Sequence, residues 1–187
     1  MAGGGAMSPA LLAWAGLLVV LGLWTLGAHN RVTALRGSIL GAWSQADAVL
    51  QARGQALAAL LAAVAGPLAG EAAAVDAVVA AQAQVQAATD TLRRAPVDPD
   101  AVAELSKADA VLAAVLVRLV ALVEQQTALL AEPTVADPLQ VLRASPARWA
   151  FARQVFNEAG STYNRATTQF PTRLLKPLLR FRQAGRL

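Results

Sequence analysis

The chain has 187 residues, which is long enough for one domain with a sizeable core. Hydrophobic residues make up 56% and charged residues 15%, whereas charged residues are about a quarter of ordinary soluble domains. Cysteine is absent, which excludes disulfides, thiol catalysis, thiolate metal sites and a lipoprotein anchor. Abundant alanine favours helix, and no window alternates as a strand does. We predict an all-α protein: one N-terminal transmembrane helix followed by a long antiparallel four-helix bundle.

The predicted anchor follows a short tail of residues 1–9. Residues 10–28 form an uncharged run of 19 residues, with Trp14 and Trp24 towards its ends. At about 1.5 Å per residue, this run nearly spans the hydrocarbon core of a bilayer. A cleaved signal peptide is the alternative, but it requires basic residues before the run, and residues 1–9 contain none. We therefore expect an uncleaved single-pass anchor.

The charges beside the anchor predict its orientation. Arg31 and Arg36 come shortly after it, and only the terminal amine precedes it. The positive-inside rule then places the N-terminus outside and the bundle in the cytoplasm of a bacterial inner membrane.

Residues 29–171 are expected to form the bundle. Apolar residues spaced three and four apart predict a first helix that continues from Arg31, with Gly66-Pro67 as its end or a kink. A second helix is expected from about Glu71 to Arg94. Asp98 as N-cap and Pro99 at the first position predict a third helix, which ends near Glu132-Pro133. Asp137-Pro138 predicts the start of a fourth helix, with a kink or restart at Ser145-Pro146.

Four aromatic residues recur every seven positions in this fourth helix. Because seven residues are close to two helical turns, the rings lie on one stripe that faces the bundle: Trp149, Phe156, Tyr163 and Phe170.

The C-terminal tail, residues 172–187, is basic and rich in leucine. It carries five basic residues and no acid, whereas the rest of the chain has 11 basic and 12 acidic residues. In an up-down-up-down bundle the fourth helix returns to the membrane, so we expect the tail to contact anionic lipid through Arg173, Lys176, Arg180, Arg182 and Arg186. The alternative is a solvated terminus.

Several segments resemble the LemA family, bacterial proteins with an N-terminal membrane helix and a helical bundle. The segment 42–47, Ala-Trp-Ser-Gln-Ala-Asp, is similar to the family's Ala-Trp-Ser-Gln-Ile-Asp. The C-terminal series also resembles the family's, at the same intervals. The residues that match family positions are Trp43, Asp47, Arg53, Glu124, Arg153, Phe156, Asn157, Tyr163, Asn164, Phe170 and Pro171. Departures include Gln82, where the family has arginine, and the segment 55–60. The resemblance implies the fold and the membrane anchorage.

A seam of polar residues lies on or beside apolar faces of the predicted helices. Its members are Asp47, Arg53, Glu124, Arg153, Asn157 and Asn164. A buried charge needs a partner, so we expect an internal network that fixes helix register, with Arg153 or Arg53 paired to Glu124. A groove for a ligand or partner is the alternative.

The chain lacks the residues of common catalytic sites. Its one histidine, His29, lies at the membrane edge, so neither a di-iron site nor a histidine-activated serine is expected. We expect no cofactor, no metal and no nucleic acid. The sequence favours a non-enzymatic scaffold or adaptor at the cytoplasmic face, whose partners are the membrane and a second copy or another membrane protein. The alternative is a module that binds a ligand or lipid in the polar seam or at the membrane-proximal end.

Overall fold

A single helix, α1 (Pro9–Val64), contains both the apolar anchor and the first helix of the bundle. The computed structural model describes residues 9–168 and 183–187. At 1.5 Å per residue, α1 is about 84 Å long. No residue of its most apolar 18-residue stretch is buried, and Leu18 and Leu23 are each 65% exposed. This part of α1 is long and apolar enough to cross a membrane.

The other helices follow in the predicted order. A 3-10 turn (Ala69–Glu71) leads into α2 (Ala72–Arg94), and α3 (Pro99–Glu124) begins after Asp98, whose side chain accepts a hydrogen bond from the Asp100 amide. A short helix, α4 (Thr127–Leu130), precedes α5 (Pro133–Thr168). The described residues contain no strand. The all-α fold class is therefore confirmed.

The bundle has an up-down-up-down arrangement. Along their length α1 packs closely against α5, and α2 packs closely against α3. The core runs between these two pairs, and its largest fully buried side chains include Ile39, Leu57, Leu105, Leu112 and Phe156. Because α1 and α5 are antiparallel and Trp43 contacts Phe156, the end of α5 lies near residues 28–32, just after the anchor.

Two predicted helix boundaries were wrong. The third helix ends at Glu124, not near Pro133, because the Gln126 amide bonds the Val123 carbonyl and turns the chain into α4. The fourth bundle helix, α5, begins at Pro133 and continues through Pro138 and Pro146.

Helix α5 is continuous at Pro146 because a side chain replaces the missing donor. Proline has no amide hydrogen, so Pro146 cannot bond the carbonyl of Leu142, four residues earlier. The Ser145 hydroxyl donates to that carbonyl instead, at 2.8 Å. The Ser145-Pro146 pair thus permits a helix that proline would otherwise interrupt.

Candidate functional site

A buried polar network joins three helices in the middle of the bundle. Arg53 on α1 forms an ion pair with Asp109 on α3, with 2.7 Å between Nη1 and Oδ1. The other Asp109 oxygen accepts a hydrogen bond from the indole Nε1 of Trp149 on α5, at 2.7 Å. Arg53 is 5% exposed and Asp109 is 7% exposed, so both charges are almost completely removed from water. The network links α1, α3 and α5 at one level of the bundle.

Helical spacing explains why these side chains point inward. Arg53 lies between the buried Leu50 and Leu57, three or four residues from each. Asp109 has the same relation to Leu105 and Leu112. Sequence reasoning identified Arg53 but missed Asp109, although its place in the apolar seam of α3 was a usable signal.

The expected partners of Glu124 were wrong. Neither Arg53 nor Arg153 pairs with it; the Glu124 carboxylate is bound by Arg143, with 2.6 Å to Nη2. Glu124 is fifteen residues beyond Asp109, or about 22 Å along α3, and thus lies far from Arg53. Arg153 is exposed.

Helices α3 and α5 leave an open groove above the buried network, which we call the α3–α5 groove. Its volume is about 610 Å³, within the range of small-molecule sites. Arg53 and Asp109 contribute to its lining, and Glu124, Arg143 and Arg153 add further charges. Most of its wall is apolar: Leu116, Val117, Val120, Leu142, Pro146 and Trp149. Arg53, Glu124 and Arg153 of the predicted seam therefore all line this groove, although Glu124 and Arg53 lie far apart along it.

Part of the Arg53 guanidinium has no partner. Its Nε and Nη2 atoms are buried and donate no hydrogen bond to any of the described residues. An unsatisfied buried donor is costly, and an arginine fork fits a carboxylate well. Because both atoms are inaccessible to solvent, a group with acceptor oxygens that enters the groove can reach them only when neighbouring side chains move aside.

Asp47 belongs to a different contact. Its carboxylate accepts hydrogen bonds from Arg93 on α2, at 2.7 Å from Nη2, and from Gln51. The bond to Asp47 raises the pKa of Arg93 above its ordinary value, with smaller charge effects from Asp47 and Asp90 and an opposing effect of burial. Arginine is protonated at any pH a cell experiences, so Arg93 keeps the charge with which α2 binds Asp47 on α1.

The aromatic stripe is part of the core. Trp149, Phe156 and Tyr163 are all buried. Trp43 meets Phe156 edge to face, with ring centroids 6.3 Å apart. Phe170 and Pro171 lie outside the described residues.

Asn157 and Asn164 bind the backbone of residues 183–187, which we call the strap. Asn157 exchanges two hydrogen bonds with Leu187, and Asn164 exchanges two with Ala184. Sequence reasoning placed both asparagines in the polar seam and did not anticipate this contact.

The remaining predicted residues concern the membrane surface. Arg186 is exposed and lies beside Arg153, Asn157 and Glu158. The other four, Arg173, Lys176, Arg180 and Arg182, fall outside the described residues, and their contact with anionic lipid stays a prediction. Within residues 9–168 and 183–187, no group of three or more acidic or histidine side chains is arranged to hold a metal ion.

Comparison with known protein families identifies a relationship. The family model described as the LemA family matches residues 42–186, which include most of the bundle and most of the strap. Among curated proteins, none matches the sequence.

Proposed function

Because the chain belongs to the LemA family and lines its α3–α5 groove with an incompletely paired buried arginine, we propose that it is a membrane-anchored binding module. The ligand class is a small amphipathic carboxylate, with one negative charge and an apolar body. The free Nε and Nη2 atoms of Arg53 are the observation that carries this proposal. The proposed role is binding, with no chemical step.

The charges of the groove favour a single anion. Arg53, Arg143 and Arg153 contribute three positive charges, and Asp109 and Glu124 contribute two negative ones. Because Arg53 pairs with Asp109 and Arg143 pairs with Glu124, the unbalanced positive charge is that of Arg153, which is exposed at the wall of the largely apolar groove. A neutral amide of the same shape gains the apolar contacts and can accept a hydrogen bond through its carbonyl oxygen, but it lacks the negative charge and the second acceptor oxygen of a carboxylate.

We expect octanoate to stabilise the full chain in nanodiscs, and octanamide to stabilise it much less. A ligand at 100 times its Kd adds about 2.7 kcal/mol to the free energy of unfolding. For a protein of this size, that corresponds to a rise of roughly 5–10 °C in melting temperature. Thermal unfolding followed by circular dichroism measures it, and equal stabilisation by both compounds would contradict the proposed class.

A second candidate function is the scaffold or adaptor expected from the sequence. It is favoured by large apolar side chains that the bundle leaves in solvent: Phe151 on α5 is 66% exposed and Val117 on α3 is 72% exposed. Exposed aromatic residues are enriched at protein interfaces. A photo-crosslinking amino acid at position 151 is expected to capture one defined partner in intact cells, while the same group at exposed Gln84 on α2 does not. Equal capture from both positions would count against a specific interface.

We also propose that the bundle faces the cytoplasm. Residues 1–9 contain no Lys or Arg, while Arg31 and Arg36 follow the anchor. Basic residues near a span are retained on the cytoplasmic side. A C-terminal reporter that is active only in the cytoplasm should therefore be active. A variant that carries R31Q/R36Q and has lysines introduced within residues 2–6 should show less of that activity. An active periplasmic reporter on the unmodified chain would reverse the assignment.

A further inference from the structure

The two asparagines that hold the strap are spaced for an extended peptide. Asn157 and Asn164 are seven residues apart on α5, which is about 10.5 Å along a helix. Their partners, Ala184 and Leu187, are three residues apart, and a chain in the polyproline II conformation advances about 9.3 Å and returns its backbone groups to the same side every three residues. The two repeats are close, so a helix and an extended segment running antiparallel to it meet at both points.

The side-chain amide of each asparagine both donates to and accepts from the backbone of one strap residue, as a residue at the edge of a β-sheet does with its neighbour. The Asn164 Oδ1 accepts from the Ala184 amide at 2.8 Å, and its Nδ2 donates to the Ala184 carbonyl at 3.0 Å. Asn157 makes the same pair with Leu187, at 2.9 Å in both directions. A residue that exchanges both backbone bonds with its partner is the hydrogen-bonded pair of an antiparallel ladder. These bonds read the backbone of the strap and none of its side chains.

Small residues set which segment fits. Gly160 is buried beneath the strap, and a Cβ built on it lies 3.5 Å from the Ala184 Cβ. On the other side, a Cβ at Gly185 would come within 2.7 Å of the Pro99 Cα at the start of α3. Ala184 is buried, Leu187 packs on the core, and Arg186 is exposed. The segment that fits thus needs a small residue at position 184, a glycine at 185, any residue at 186 and an apolar residue at 187.

We propose that Asn157, Gly160 and Asn164 form a binding site for an extended peptide segment, and that residues 184–187 of the same chain are its ligand. Thr168 and Gln183, which flank the basic residues Arg173, Lys176, Arg180 and Arg182, are thereby both held at the membrane-proximal end of the bundle. The site is separate from the α3–α5 groove, and neither proposal depends on the other.

The absence of cysteine allows a direct test on the full chain in its membrane. The Cβ separation of 3.5 Å suits a disulfide, so the G160C/A184C variant is expected to oxidise readily. Trypsin then leaves residues 154–165 linked to residues 183–186, detected by mass spectrometry in the monomer band. The matched control is G160C/Q183C, because Gln183 is exposed whereas Ala184 is buried against Gly160. Its disulfide yield should be about tenfold lower.

Adding N157A/N164A to the G160C/A184C variant should lower the disulfide yield about tenfold, because four hydrogen bonds are lost. Adding Q154A, on the same helix, should leave the yield unchanged. If the asparagine variant does not fold, adding G185A provides the same test, since its methyl group meets the Pro99 backbone. Unchanged yields with both N157A/N164A and G185A would overturn the proposal, as would a disulfide found only between two copies.

Discussion

Replacing Arg53 by methionine is expected to lower the free energy of unfolding by about 3–5 kcal/mol, because the substitution leaves the Asp109 charge buried without its partner. The corresponding fall in melting temperature is roughly 6–20 °C. Among the described residues, only the indole of Trp149 would still bond the carboxylate. Chemical unfolding of the full chain in nanodiscs, followed by circular dichroism, measures the change.

The control is the double variant R53M/D109N. An asparagine at position 109 keeps an oxygen for Trp149 and removes the charge, so no unpaired ion remains buried. We expect this variant to recover most of the stability that R53M loses. A loss below about 1 kcal/mol in R53M, or a double variant that is as unstable as R53M, would show that the pair is not the ion pair the geometry indicates.

The same double variant separates the two roles of Arg53. If the network only fixes helix register, octanoate stabilises R53M/D109N as much as it stabilises the unmodified chain. If Arg53 binds the ligand, the variant folds but gains no more stability from octanoate than from octanamide. The ligand proposal thus fails independently of any effect on folding.

Features that depend on neighbouring residues could be predicted from the sequence. The anchor, the Asp98-Pro99 start of α3 and the inward stripe of Trp149, Phe156 and Tyr163 all follow from spacing within one helix. For these features, the residues that favour the local helix are also the residues that suit its surroundings in the folded protein. The Asp137-Pro138 pair gave a wrong start for the fourth bundle helix. It is a local signal for a helix start, but α5 had already begun at Pro133.

Features that depend on the axial offset between helices could not be predicted in this way. Arg53 pairs with Asp109 and not with Glu124 because of the axial position of α3 relative to α1. The turns between the helices and the packing of the core determine that position. The strap was out of reach for a different reason. Its bonds join asparagine side chains to a backbone twenty to thirty residues away, and no periodic pattern marks the acceptor segment. The seven-residue spacing of the asparagines is present in the sequence, but only the structure shows that they bind the strap.

Phe156 and Phe151 test the packing of α5 with the same substitution on the same helix. Phe156 is fully buried against Trp43, so F156A is expected to cost about 3–5 kcal/mol of unfolding free energy through lost apolar contact and the cavity left behind. Phe151 is 66% exposed, and F151A is expected to change stability by less than about 0.5 kcal/mol, since alanine is also the better helix former. Denaturant unfolding of both variants measures the contrast. Equal losses at the two positions would mean that α5 presents a different face to α1, and the placement of Asn157 and Asn164 towards the strap would then fail with it.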